Sequence, residues 1–189
     1  SNDIYYYEVA RVIGEKALTE WAKKLKLGAF LGIDLPGEAK GLVPDAEWKR
    51  KTYDTSWYPG DTLHMAIGQG FVLTTPLQVL GMTSFIAADG KLFAPQIILS
   101  SFKPKELVSN IASRQQIELI KQGLELVPKY GGTAWPFFTF PIETAGKTGT
   151  AEYGDPKNKT HAWYTSYAPA ESPKIVLTVL IEGGGEGSS

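Results

Sequence analysis

Three stretches decide the fold: Glu143–Tyr153 (ETAGKTGTAEY), Ala162–Ala168 (AWYTSYA) and Lys174–Glu182 (KIVLTVLIE). Each is short and carries β-branched or aromatic residues in the density that strands favour. The link Gly154–Thr160 is polar and the link Pro169–Pro173 is short, so the three strands are expected to form an antiparallel meander. Upstream the periodicity changes. Val9, Val12, Ile13, Ala17, Leu18, Trp21, Ala22 and Leu25 recur at helical spacing, with Gly14 a point where the helix splits and Gly28 beyond its end. Residues 32–60 are rich in Gly and Pro and read as loops around one short helix, Asp45–Lys51, capped by Asp45. A buried helix is expected from Pro76 to about Ala88, with Thr74 or Thr75 as its cap and Asp89-Gly90 as its stop. A strand is expected over Leu92–Phe102. A further helix is expected from Ser113 to about Val127, with Ile117, Leu119, Ile120 and Leu124 inward. Helices followed by an antiparallel sheet make an α+β architecture.

Composition narrows the function. The 189 residues carry 19 Lys+Arg against 20 Asp+Glu, a net charge of -1, which argues against nucleic-acid binding as the main role. Hydrophobic residues at 43% and charged residues at 21% fit a globular chain of one domain or a large piece of one. No apolar run reaches the ~18 residues of a membrane span. With no Cys there is no thiolate nucleophile or disulfide, and with only His64 and His161 a multi-histidine metal site is not expected.

The strongest chemical signal is Gly146-Lys147-Thr148-Gly149-Thr150. A strand with a glycine bulge accounts for the tripeptide Lys-Thr-Gly by itself. The chemistry suggests more. Lys147 places a cation, Thr148 and Thr150 add hydroxyls, and Gly149 clears space for an approaching backbone. Together they suit an extended peptide ending in a carboxylate, docked by strand addition.

Other blocks point the same way. Ser1-Asn2-Asp3-Ile4-Tyr5-Tyr6-Tyr7 opens the chain. Gly32-Ile33-Asp34-Leu35-Pro36-Gly37-Glu38, Trp57-Tyr58-Pro59-Gly60-Asp61, Ile67-Gly68-Gln69-Gly70 and Thr74-Thr75-Pro76-Leu77-Gln78 follow, and His161-Ala162-Trp163-Tyr164-Thr165 and Tyr167-Ala168-Pro169 come after Lys-Thr-Gly. In this order the chain resembles the class B penicillin-binding proteins, most of all their elongation-specific branch. Ser1-Asn2-Asp3 is similar to the family's second signature, with Asp where most members have Asn. Lys147-Thr148-Gly149 is similar to its third.

The resemblance implies the penicillin-binding protein/serine β-lactamase-like fold. It also implies a peptidoglycan D,D-transpeptidase that cross-links stem peptides through a serine acyl-enzyme, needs no cofactor, and is inhibited by β-lactams. It implies a location on the periplasmic side of the bacterial inner membrane and elongation-machinery membrane proteins as partners. Residues 1–189 are expected to be the C-terminal part of one transpeptidase domain, cut at both ends, because the nucleophile of this family sits in a Ser-x-x-Lys that precedes the second signature. Ser100-Ser101-Phe102-Lys103 fits that pattern but follows the second signature and ends an expected strand, so it is set aside. Roles carried over from the resemblance are a proton relay for Ser1 and a hold on a lysine or the substrate amide for Asp3. Lys147 supplies positive potential and Thr148 and Thr150 bind the terminal carboxylate, with the Thr150 N–H as an oxyanion donor beside Gly149. Two alternatives stay open: a serine β-lactamase or β-lactam sensor, and a non-catalytic periplasmic interaction module. His64 and the run Lys49-Arg50-Lys51 are expected to be structural and solvated respectively, and His161 a surface residue.

Overall fold

A computed structural model describes residues 2–99, 103–154 and 156–188. The chain forms two compact units, one ending at Thr75 and the other starting at Pro76. The first unit is helical. Asn2 accepts the Tyr5 N–H at 3.1 Å and so caps α1 (Asp3–Lys24), with Asp3 well placed against the positive helix end. Gly14 leaves the helical region (φ 76°, ψ 171°), and α1 is two helical segments joined there. Asp45 caps α2 (Ala46–Tyr53) by accepting the Trp48 N–H at 2.8 Å, as its position predicts.

The Trp-Tyr-Pro-Gly-Asp block is not loop. Pro59 starts a helix, α3 (Pro59–Ala66), and the Asp61 carboxylate accepts the Tyr58 N–H at 2.7 Å. Proline belongs in a first helical turn, where its missing N–H costs nothing; the Pro-Gly pair had read as a break. The same carboxylate meets Lys49 at 2.5 Å, and Lys49 is 7% exposed with its ammonium over the Tyr58 ring. Lys49 therefore departs from the solvated face expected of residues 49–51. Its ammonium also lies 5.6 Å from the Phe71 ring, and Phe71 packs with Trp48 and Tyr53 in this unit. Glu38 ties off the Gly32–Glu38 loop by accepting the N–H groups of Leu31 and Gly32.

The second unit holds the sheet. α4 (Pro76–Ala87) is followed by Asp89 and Gly90 at φ 54° and 86°, the left-handed stop anticipated there. Strand β1 is only Leu92–Phe93, paired with β2 (Glu106–Val108). The long strand expected over Leu92–Phe102 does not form across the described residues, where Pro95 lacks a donor for a ladder. Ser100, Ser101 and Phe102 lie outside the described residues. Ser113 and Gln116 cap α5 (Arg114–Glu125) reciprocally, through Ser113 Oγ to the Gln116 N–H and Gln116 Oε1 to the Ser113 N–H. Ile117 is buried, but Leu119 faces out at 70% exposure, so the inward stripe of α5 is narrower than its apolar count suggested.

β3 (Ala145–Glu152), β4 (Thr160–Ala168) and β5 (Ile175–Ile181) form the antiparallel meander in that order. One face is covered. Ala145 and Tyr167 join Ala87 and Ala170 in a core, with Ile86 of α4 and Leu124 of α5 against it. On the other face Ile175, Leu177, Val179 and Ile181 alternate outward, each at least 39% exposed.

Candidate functional site

Lys147, Thr148, Gly149 and Thr150 lie on β3, an edge strand of the sheet among the described residues. Register alternates their side chains. Lys147 pairs with Thr165 and Gly149 with Trp163 on the helix-covered face; Thr148 pairs with Tyr164 and Thr150 with Ala162 on the other. The free side of an edge strand leaves alternate N–H and C=O groups for an added strand. At Gly149 a Cβ would stand 3.3 Å from the Trp163 Cβ, tighter than ordinary contact. A larger residue there would have to push Trp163 or the strand.

Each polar group has a defined neighbour. The Lys147 ammonium donates to the Thr148 carbonyl at 2.7 Å, which holds its charge along the strand. Thr148 is buried, and its hydroxyl donates to Thr133 Oγ1 at 2.7 Å. Thr150 accepts the Gly187 N–H at 3.1 Å. Beside Lys147 in the register, Thr165 meets Thr178 at 2.8 Å and Thr83 of α4 at 2.7 Å, a hydroxyl chain that fixes the middle strand under the helix. On the other face Phe137 stacks on Tyr164 with ring centroids 5.0 Å apart. Burial pushes the Tyr164 hydroxyl above its ordinary value, against the hydroxyls of Ser166 and Thr144. Burial, with Glu125, Glu118 and Asp89 adding negative potential, pushes Tyr167 up to about 12. Among the described residues no group of three His, Asp or Glu side chains gathers as metal ligands.

What this strand can do chemically is bind an anion-ended extended chain, with a cation and hydroxyls along one edge. Comparison with known proteins gives that arrangement its context. The family model of the penicillin binding protein transpeptidase domain matches residues 1–189. The chain belongs to that family. The chain is 33% identical to the peptidoglycan D,D-transpeptidase MrdA of Haemophilus influenzae over 213 residues, covering 100% of this chain and 33% of the relative. Among solved structures, penicillin-binding protein 2 of Helicobacter pylori in complex with MreC superposes with a TM-score of 0.88 at 36% identity, covering 98% of this chain and 35% of that one. Pseudomonas aeruginosa penicillin-binding protein 2 in complex with WCK 5153 gives a TM-score of 0.88 at 32% identity, covering 99% of this chain and 43% of that one. The chain thus spans about a third of the length of the curated relatives it matches.

Of the transpeptidase-like residues expected from sequence, the structure brings Lys147, Thr148, Gly149 and Thr150 together on one strand. Asp3 stands in the first turn of α1, in the other unit. Ser1 lies outside the described residues, as does the Ser100–Phe102 part of the second Ser-x-x-Lys match. His64 belongs to α3, and its carbonyl accepts the Ile67 and Gln69 N–H groups. His161 stacks flat on Tyr153 (centroids 4.0 Å, 2° between planes), and its Nδ1 accepts the Gly183 N–H. Sequence reasoning missed Thr133, which meets Thr148 from fifteen residues away. It also missed Gly187, whose N–H donates to Thr150 Oγ1. Neither carries a local pattern; only the strand register brings them to residues 148–150.

Proposed function

We propose that the protein is a peptidoglycan D,D-transpeptidase of the elongation-specific branch, and that residues 1–189 are the C-terminal part of its one transpeptidase domain. The observation that carries this reading is a Lys-Thr-Gly-Thr edge strand inside a chain that matches the family over its whole length. In the reaction a serine hydroxyl attacks the carbonyl of the penultimate D-Ala of a stem peptide. The terminal D-Ala leaves as the free amino acid, and an amine of a neighbouring stem displaces the serine. This reading assigns the nucleophile to a Ser-x-x-Lys outside these 189 residues.

The roles follow from chemistry. Lys147 holds positive potential where the substrate carboxylate arrives and where anionic charge develops. Thr148 and Thr150 line the carboxylate position, Gly149 lets the substrate backbone come close, and the Thr150 N–H serves the oxyanion. Ser1 passes a proton between the nucleophile's lysine and the leaving amine, and Asp3 orients that lysine or the substrate amide. β-Lactams enter as mimics of the D-Ala-D-Ala end. We place the protein on the periplasmic side of the inner membrane, anchored by sequence outside this chain, a location that the family resemblance implies. The Helicobacter pylori relative was solved with MreC, which supports an elongation-machinery protein as partner.

The test is acylation by penicillin, followed by intact mass, on the protein extended to the length of its relatives. The expected result is a single stoichiometric adduct, and a loss of roughly 100-fold in acylation rate for Lys147→Ala at unchanged melting temperature. Wild-type rates in Lys147→Ala remove Lys147 from the site. Turnover of penicillin instead of a lasting adduct favours a β-lactamase, and no adduct at all favours a non-catalytic module.

A further inference from the structure

The glycine-rich segment that follows β5 runs back over the sheet and is fastened to it at three places. The Gly183 N–H donates to His161 Nδ1 at 3.1 Å. Gly185 and Thr160 bind each other twice, the Gly185 N–H to the Thr160 carbonyl at 3.1 Å and Thr160 Oγ1 to the Gly185 carbonyl at 2.7 Å. The Gly187 N–H donates to Thr150 Oγ1 at 3.1 Å. A Cβ on Gly187 would collide with the carbonyl oxygens of Gly149 and Trp163, so the segment lies with its backbone directly on β3 and β4. Of the three fastenings, the one at His161 contains a group that titrates, and the segment links it to the strand that carries Lys147–Thr150.

That fastening depends on the charge of an imidazole. A neutral imidazole has one nitrogen that donates and one that accepts, whereas an imidazolium has two donors. The Gly183 N–H aimed at Nδ1 requires that nitrogen to be bare, so in the fastened state the ring proton sits on Nε2. A proton arriving from solvent has to take the lone pair that the Gly183 N–H already uses. The Tyr153 ring lies 4.0 Å from the imidazole and 2° from parallel, and it holds the ring in either charge state, because an aromatic face also attracts a cation. The charged neighbours along the chain are Lys159 just before β4, Glu152 beside Tyr153 on β3, and Glu182 and Glu186 on the segment itself. A Cβ on Gly183 would stand 3.6 Å from the Tyr153 hydroxyl and 3.7 Å from the Lys159 stem, so these two side chains face the same junction from β3 and from the start of β4.

We propose that His161 is an acid-sensitive catch on the Gly183–Gly187 segment. Neutral, it holds the segment down on β3; protonated, it lets Gly183 go and loosens the contact with Gly149 and Thr150. Imidazoles change charge between about pH 5 and 8, where carboxylates for the most part stay ionised. The sign is fixed by competition. The proton and the Gly183 N–H want the same lone pair, so the hold is present at high pH and is lost as pH falls. The Thr160–Gly185 pair does not titrate and keeps the segment near the sheet, so the response is a local opening rather than unfolding. The inference goes beyond the transpeptidase reading and does not rest on it.

The experiment follows hydrogen exchange of the peptide Glu182–Gly187 in the full-length protein, from about pH 8 to about pH 5, read by mass spectrometry and corrected for the intrinsic pH dependence of amide exchange. In wild type its protection is expected to fall about tenfold in acid, the worth of one hydrogen bond, while peptides of α4 keep theirs. His161→Asn offers a carbonyl oxygen near the place of Nδ1, an acceptor that does not titrate, and its protection is expected to stay high and change less than about twofold. His161→Phe keeps a ring on Tyr153 but has no acceptor. Its protection is expected to be as low at pH 8 as that of wild type in acid, with no further fall, and it carries the test if His161→Asn does not hold the segment. A fall in His161→Asn as large as in wild type gives the response to Glu152, Glu182 or Glu186 and overturns the inference. Wild-type protection that is flat with pH overturns it too, as does a His161→Phe protein that is fully protected at pH 8 or still loses protection in acid. No penicillin enters the measurement, so this inference and the transpeptidase reading fail separately.

Discussion

Replacing Lys49 by Met keeps an unbranched apolar stem of nearly the same length and removes the ammonium with its charge and its donors. The Lys49 and Asp61 side chains are 9% and 14% exposed and meet at 2.5 Å, so water screens little of their attraction. For unit charges ~4 Å apart at an effective dielectric of ~20 the attraction is about 4 kcal/mol, and breaking a buried pair from one side costs about 3–5 kcal/mol. In Lys49→Met the Asp61 carboxylate keeps the Tyr58 N–H at 2.7 Å, which places the expected loss near the lower end, about 3 kcal/mol. Asp61→Asn should cost less, about 1–2 kcal/mol, because the ammonium keeps the Tyr58 and Phe71 rings at 4.7 and 5.6 Å. The double variant then shows a coupling of about 2 kcal/mol in urea unfolding. The pH dependence has a definite sign. Burial raises the Asp61 carboxyl, but hydrogen bonds from Lys49 and the Tyr58 N–H outweigh it and hold the group below 3.8. A depressed folded value means the stabilisation is fully present above the unfolded value and is lost as pH falls through the folded one. The gap between wild type and Lys49→Met should therefore be constant near neutrality and close below pH 3.8. A coupling under about 0.5 kcal/mol, or a gap that does not close in acid, refutes the reasoning.

The Tyr167 hydroxyl is buried with no hydrogen-bond partner among the described residues, so Tyr167→Phe should leave stability unchanged or raise it by up to about 1 kcal/mol in thermal unfolding. Because its value rises to about 12 from 10.0, wild type should lose stability as pH climbs through that window, and Tyr167→Phe should flatten the loss. Thr133→Val strands the buried Thr148 hydroxyl and should cost about 1–2 kcal/mol, with Thr133→Ser restoring most of it; melting curves of the two variants decide.

The meander was legible because β-branched runs and short links are local signals, and β3, β4 and β5 fall within a residue or two of their expected ends. The caps at Asp45 and Ser113 were legible for the same reason, since a side chain reaching three residues ahead is a local event. Helix α3 was not, because Pro59-Gly60 signals a turn unless Asp61 is seen to cap it. Lys49 looked solvated inside a basic run, and only Asp61, twelve residues on, buries it. At the site, Lys147 to Thr150 could be read directly. Thr133 and Gly187 could not, because they reach the strand from fifteen and thirty-seven residues away.

The blocks that carry the resemblance divide by how they use their polar groups. Glu38 closes its own loop on two backbone N–H groups. Trp57 Nε1 donates to Thr62 at 2.8 Å, and Asp61 caps the helix that the same block begins. Gly70 lies where a Cβ would meet the His64 Cβ at 3.1 Å. These groups are consumed inside the scaffold, and their loss should appear as lower unfolding free energy with little else changed. Residues 147–150 are different: an ammonium and two hydroxyls, divided between the two faces, lie on an edge strand whose other side is fully paired to β4. β5 on the same sheet carries branched apolar side chains instead, with Ile175, Leu177, Val179 and Ile181 facing out. The contrast between β3 and β5, two edges of one meander, is the physical reason to look for chemistry at Lys147 rather than anywhere else on this sheet.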